Sequence, residues 1–398
     1  MADFFTEMLA DIDKLTEEQV SQLMAALECK KSGCHQAIKD SIKQDDGTPM
    51  ACPHCASIDI KRHGKTDGRQ RYRCKDCNKT FCETSQTLMY HSRLSPAQWK
   101  GLLLGMVQNL TLNQIADTIG TSITTVWYNK HKVCVALEEV YRTYAGQFID
   151  IAECDEWYTP VSFKGKRDPA FFIRVLDRMP RHNRTYEEKV EYLMKYGLYD
   201  EVAKDPERLA RLLGENTGSK NSPKERRKRG ISNDQTCVLT CKDRSGFFTI
   251  DPICVGPPGT TDIRQNLSGK FANDAILVTD SRGVYSGFAK TEGIQLEQIE
   301  SDKFTKGAYN LGRIDAVHSK LSAFYPDQEE RAPATKYLGL QLKLFWWLEV
   351  NGTLSTQDKV DKLYDLMTGK TTLTGTDYES ITNRELTINT KGEFPAKV

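Results

Sequence analysis

Two Cys-x-x-Cys pairs, Cys52-Pro-His-Cys55 and Cys74-Lys-Asp-Cys77, limit this chain more than any other feature. Each pair can deliver two thiolates from one tight turn, and residues 56–73 between them have the length of a short hairpin. Together they define a tetrahedral four-cysteine site for one structural zinc ion. A single Cys-x-x-Cys can also be a redox pair, but two at this spacing favour zinc. The segment 49–92 is read as a zinc ribbon, too poor in apolar residues to fold without its ion. It is also basic, with eight Lys/Arg against two Asp from Lys61 to Lys79. Arg62, Arg71 and Arg73, beside Tyr72, suit contact with phosphates, and DNA binding is expected over protein contact.

The 398 residues leave room for two or three domains. A net charge of +1 hides segregation: Met1 to Glu28 is acidic, whereas Lys220 to Arg229 carries six Lys/Arg against one Glu. Separate basic patches on a neutral chain point to an anionic polymer as partner. No stretch reaches the roughly 18 apolar residues of a membrane span, and the start lacks a basic segment followed by an apolar one. The expected location is cytoplasmic and nucleoid-associated, with no membrane partner. Most of the twelve cysteines are then expected to be reduced, buried or metal-bound; Cys29 and Cys34 receive no role.

Residues 1–48 read as a helical segment and linker, with Thr16 and Gln19 boxing a helix through Val20, Leu23, Met24 and Leu27. After the ribbon, residues 93–145 give three helix signals. Ser95-Pro96-Ala-Gln98, Thr111-Leu-Asn-Gln114 and Thr121-Ser122 each open a helix, and Gly120 closes the second. Small Ala116 four residues before Gly120, with Ile123 and Val126 after it, predicts a helix-turn-helix; a plain three-helix bundle is the alternative. Its last helix would offer Thr124, Thr125, Tyr128, Asn129, Lys130 and Lys132 to a major groove.

Residues 146–352 hold the acids. Phe148 to Tyr158 alternates as a half-buried strand and presents Asp155 and Glu156 at its end; Ala275 to Thr279 is a second strand that breaks off at Asp280. Either acid alone could cap a turn, but together they are parts of a divalent-metal site. Thr236 to Cys241 and Phe247 to Val255 form a hairpin through Asp243-Arg-Ser-Gly246, Thr261 to Asn266 is a short helix and Ile294 to Ile299 another strand. The fold class expected is α+β multidomain, ending in a ribonuclease H-like mixed α/β catalytic domain with residues 168–228 as a polar insertion or arm. Asp315 and His318, three apart on one face of a helix from Ile314 to Phe324, are both candidates for a third ligand. The polar, Thr-rich residues 353–398 read as a tail.

The ordered set of four-cysteine ribbon, helix-turn-helix, Asp155-Glu156, Ser162-Phe-Lys-Gly165, Arg229-Gly-Ile-Ser232, Thr279-Asp280, Tyr309-Asn310, His318-Ser-x-Leu321 and Thr335-Lys-Tyr-Leu338 resembles the bacterial zinc-ribbon DDE insertion-sequence transposases, which are related to Merlin elements. The separation of Asp280 and Asp315, 315 − 280 = 35, is familiar from such enzymes. The resemblance implies metal-binding roles for Asp155 and Asp280, with His318 at the third catalytic position and Asp315 in place of an Asn. Ser322 stands where the family has Lys, and Lys320 is displaced by two residues. The function implied is DNA transposition: binding of terminal inverted repeats and cleavage and transfer of strands with two Mg²⁺ or Mn²⁺ ions, in a homodimer or larger assembly on double-stranded DNA. The alternative is a domesticated, non-catalytic DNA-binding regulator that keeps the same modules.

Overall fold

The computed structural model describes residues 50–66, 69–180, 184–214, 235–300, 302–325, 333–373, 376–386 and 388–390, with Thr16, Val20, Ser21, Met24 and Ile42. Apart from those single positions, the N-terminal helices, Cys29, Cys34, the Lys220–Arg229 run and the Arg229-Gly-Ile-Ser232 motif lie outside the described residues. The chain forms two compact units. One is Met1–Ser95 with Met367–Thr372, the other Pro96–Leu366 with Leu373–Val398.

In the first unit β1 (Ile60–Thr66), β2 (Arg69–Cys74) and β3 (Thr80–Cys82) form an antiparallel sheet. Tyr72 sits opposite Phe81, and the two join Met50, Cys52, Ile60 and Cys74 in a small core. Side chains alternate across a sheet, so Lys61, Arg73 and Thr80, paired across the three strands, take the other face. Lys61, Arg71 and Arg73 therefore take the side turned away from the apolar core, whereas Arg62, opposite Tyr72, takes the core side.

The second unit opens with α1 (Pro96–Val107), α2 (Leu112–Ile119) and α3 (Ile123–Arg142). Thr111 and Gln114 form the expected capping box, and Gly120, at φ 65°, returns its N–H to the Ala116 carbonyl. A Cβ at Gly105 would stand 2.6 Å from Ile115 and one at Gly101 2.7 Å from Ile119. These glycines let α1 and α2 touch. The second half of α3 is buried from Val133 to Leu137, and its Tyr141 hydroxyl donates to Asp251 at 2.6 Å. Lys343 closes the same buried network, 2.5 Å from the other Asp251 oxygen. The helices and the sheet consequently fall within one compact unit.

The rest of that unit is β4 (Ile151–Pro160), α4 (Tyr186–Lys195), α5 (Tyr199–Val202), α6 (Pro206–Leu213), β5 (Gln235–Asp243), β6 (Phe248–Val255), α7 (Thr260–Leu267), β7 (Ile276–Asp280), α8 (Gly283–Glu292), β8 (Gln295–Ile299), β9 (Thr305–Lys306), β10 (Tyr309–Asn310), α9 (Gly312–Phe324), α10 (Thr335–Val350), α11 (Thr356–Thr368) and α12 (Tyr378–Thr382). The large sheet has the order β6-β5-β4-β7-β8. β4, β5 and β6 are an antiparallel meander, and β7 and β8 run parallel to β4. Ala152 and Cys154 on one face of β4 pack with Ile263 and Leu267 of α7 and Tyr285 and Phe288 of α8.

Two regions expected to be polar and loose are packed. Within 168–214, Ile173, Leu193, Leu198, Val202, Leu212 and Leu213 form their own core, because the apolar residues fall on facing sides of short, well-capped helices. Near the C-terminus Leu386 and Ile388 pack on Val255. Asn389 exchanges backbone hydrogen bonds with Ile253 and Val255 at 3.0 Å each. This segment covers the edge of β6, the strand that tolerates Pro252 because edge strands need fewer donors.

Candidate metal centres

The ribbon site is built twice by the same turn. Cys52 N–H bonds to Ser57 O and Cys74 N–H to Lys79 O, and the residue after each second cysteine, Ala56 or Asn78, has φ 58°. Backbone N–H groups point at the sulfurs, His54 at Cys52 (3.4 Å) and Cys77 at Cys74 (3.5 Å). The latter bond draws the Cys74 thiol down to about 7. Sulfur atoms of Cys52 and Cys77 are 3.6 Å apart and those of Cys55 and Cys74 3.5 Å. All four lie within 4.8 Å of one another. Tetrahedral zinc with bonds of about 2.3 Å spaces its sulfurs by about 3.8 Å, so the donor set fits that ion.

The acid site is assembled from distant segments. Parallel pairing of β4 with β7 runs to Glu153 opposite Val278. Two residues further along each strand stand Asp155 and Asp280, level with one another on the same face. Oxygen atoms of Asp155, Glu156 and Asp280 lie within 4.8 Å of one another, as do ligand atoms of Asp155, Asp315 and His318. Asp155 belongs to both groups. The expectation that Asp155 and Glu156 end their strand is corrected: β4 continues to Pro160 because β5 stays paired with it throughout, while the described pairing with β7 stops at Glu153.

Glu156, one residue on, turns to the other face, where Tyr285 donates to it at 2.8 Å. The Arg282 guanidinium stands 2.8 Å from Glu156 and 3.1 Å from Asp280. Burial, then the charge of Glu156, pushes Asp155 up to about 7. Burial also raises Glu156 and lowers His318 to about 4. Crowded carboxylates with a neutral imidazole form a hard, oxygen-rich donor set that favours a divalent cation.

Three residues of β4 meet three levels of α9. Glu153, 1% exposed, accepts from Arg313 N–H at 2.7 Å and Ile314 N–H at 3.2 Å, serving as the cap that α9 lacks in its own sequence. Asp155 Oδ2 lies 3.9 Å from His318 Nδ1. Trp157 Nε1 donates to Ser322 at 3.2 Å. Two strand residues advance about 6.6 Å and four helix residues about 6.0 Å, so the contacts stay in step. Ser322 has a local reason: a lysine there would remove the acceptor of Trp157. Lys320 instead pairs with Glu349 at 2.9 Å. Sequence reasoning missed Glu153, Arg282 and Thr240; the period-2 row Glu153, Asp155, Trp157 was the available signal.

The proposed groove-reading face of α3 needs correction. Asn129 and Lys132 are 1% and 2% exposed. Tyr128 donates to Thr376 O at 3.1 Å and packs against Tyr378. Lys130 is half-buried, and desolvation pulls both lysines down, Lys132 to about 8. Thr124 alone of the six is exposed, with Thr125 half-buried and bonded to Ser122. The α12 region covers what the sequence left open. On the ribbon, Arg62 is exposed, Arg71 reaches Thr80 at 2.9 Å and Arg73 is half-buried.

Residues 49–78 match the family model of the InsA N-terminal domain, a zinc ribbon. The chain is also 28% identical, over 116 residues, to a protein of Halobacterium salinarum described as an uncharacterized protein in transposable element ISH50. That match takes in 29% of this chain and 38% of the relative's length. A solved structure, "Crystal structure of a pre-cleavage Mos1 transpososome", aligns over 79% of this chain and 84% of its own at 10% identity. Its TM-score of 0.19 does not establish a shared fold. The chain thus carries a zinc ribbon similar to the InsA N-terminal domain, and part of it is similar to part of a protein from a transposable element. Both support the resemblance to insertion-sequence transposases. Among the described residues, no helix is long and apolar enough to cross a membrane.

Proposed function

We propose that this protein is a DNA transposase of the DDE or DDH type, acting on element ends by metal-dependent strand cleavage and transfer. The observation that carries this reading is the convergence of Asp280 and of Asp315 and His318 upon Asp155. The sheet order, a meander followed by two strands parallel to its first, supports a ribonuclease H-like catalytic domain. The capped α2-turn-α3 geometry supports a helix-turn-helix. The basic residues of the ribbon and the exposed start of α3 at Ile123 and Thr124 would hold the terminal inverted repeats, and two ends held at once would need at least a homodimer.

Asp155 and Asp280 would hold the ions, with His318 or Asp315 completing the set. Two bound Mg²⁺ or Mn²⁺ ions supply an activated oxygen nucleophile and charge stabilisation for the leaving oxygen. The chain's own part is placement: Glu153 holds α9 against β4, and the parallel register holds Asp280 level with Asp155. Arg282 neutralises Glu156 and one oxygen of Asp280, which limits repulsion before ions enter.

Cleavage and transfer of a labelled element end with Mn²⁺ should require Asp155 and Asp280. Full activity of Asp155→Asn would refute the assignment. The same ion pair favours the second reading, a non-cleaving DNA-binding regulator, because Arg282 already occupies Asp280. That reading wins if the wild-type protein binds ends but never nicks them.

A further inference from the structure

We propose that Thr240 is a positioning residue that orients the His318 ring so that Nδ1, and not Nε2, faces the ion held at Asp155. The inference deepens the proposed metal-dependent function and rests on it. It follows from counting protons.

Thr240 lies on β5 directly opposite Asp155, fully buried. Its hydroxyl has one proton and donates it to the Asp155 carbonyl oxygen at 2.9 Å, since a carbonyl can only accept. The same oxygen lies 2.7 Å from His318 Nε2. With the proton spent on the carbonyl, the hydroxyl must accept there, so Nε2 carries the ring hydrogen. The lone pair is then on Nδ1, which lies 3.9 Å from Asp155 Oδ2. Ligands of one octahedral ion with bonds of about 2.1 Å stand about 3.0 Å apart when adjacent and about 4.2 Å when opposite. The gap is too long for a hydrogen bond and falls between these two spacings, so a small turn of either side chain would bring both groups onto one ion.

One threonine thus grips the backbone of the first ligand and the ring of the third. A ligating histidine is commonly oriented through its other nitrogen in this way. Asp315, three residues before it, is exposed, and its ligand atom also lies within 4.8 Å of those of Asp155 and His318. The Thr240 hydroxyl favours His318 over Asp315 as the third ligand, because it fixes the ring that faces Asp155.

The test uses the full chain with its zinc retained and no added Mg²⁺ or Mn²⁺. Ring ¹⁵N NMR, with the His318 signals assigned by their loss in His318→Gln, should show the Nε2–H tautomer in wild type. Thr240→Val, similar in shape, should mix the tautomers and weaken Mn²⁺ binding, read by water-proton relaxation, by about tenfold. Thr240→Ser should restore both readouts, which a purely packing role would not produce. A wild-type His318 protonated on Nδ1, or a folded Thr240→Val that binds Mn²⁺ as tightly as wild type, overturns the proposal. The metal reading itself is judged separately: wild type that binds no Mn²⁺, or Asp155→Asn that binds it equally well, refutes the metal centre.

Discussion

The ribbon and the acid site both gather four candidate ligands, yet they are assembled by opposite means. The thiolates arrive as two local pairs, each made by one turn, on a sheet whose core among the described residues is small, with Met50, Ile60, Tyr72 and Phe81 around Cys52 and Cys74. Asp155, Asp280 and the pair Asp315 and His318 come from two strands and a helix inside a large packed unit. The difference teaches a direction of dependence. We expect the ion to complete the fold of the ribbon, whose apolar core is small, whereas the packing of a large unit supplies the geometry of the acid site.

The strongest challenge to that contrast is Cys74→Ser. Structural zinc in small modules is worth on the order of 10 kcal/mol, so zinc should leave, the ribbon should unfold by circular dichroism and end binding should vanish. A zinc-free ribbon that stays folded would erase the contrast. Next in size, Asp155→Asn should lower metal-dependent cleavage on the order of 10³-fold, a loss of several kcal/mol of transition-state stabilisation, with zinc content unchanged.

Glu153→Ala should follow, costing about 2–3 kcal/mol by leaving the first N–H groups of α9 buried without an acceptor. It should weaken Mn²⁺ binding while sparing the ribbon, which denaturant melts and zinc assays would separate. Asp155 also gives the contrast a pH dependence. Its folded-state value is raised from 3.8 to about 7, so its contribution to stability is full below 3.8 and lost as pH rises through about 7. Without Mg²⁺ or Mn²⁺, Asp155→Asn should therefore gain in melting temperature over wild type between about pH 4 and about pH 7 and hold that lead above it. A gap that narrows over that range would contradict the crowding of the acids. The smallest effect is expected from Ser322→Ala, about 1 kcal/mol for the hydrogen bond to Trp157, measured by chemical denaturation.

Much of this was legible in the sequence where the physics is local. The Cys-x-x-Cys turns, the capping box at Thr111, the αL stop at Gly120 and the Asp243-Arg-Ser-Gly246 hairpin each depend on a few neighbouring residues, and each lies where the sequence put it. The groove-facing side of α3 was not legible, because Tyr378 and Thr376 cover it from more than 240 residues away. Nor was the core of the 168–214 helices, whose apolar residues are too sparse to read without their partners.

By itself the sequence determined which residues could bind metal and the local turns and helices that carry them, since ligand chemistry and backbone preference act over a few residues. Tertiary structure alone decided that β4 and β7 pair with Glu153 opposite Val278, because a one-residue slip in that register would send one acid to the opposite face. It also decided that Glu153 and Thr240, unremarkable along the chain, hold the helix and the ring that face Asp155. Those contacts join residues 78 to 160 positions apart, a distance over which no local preference acts.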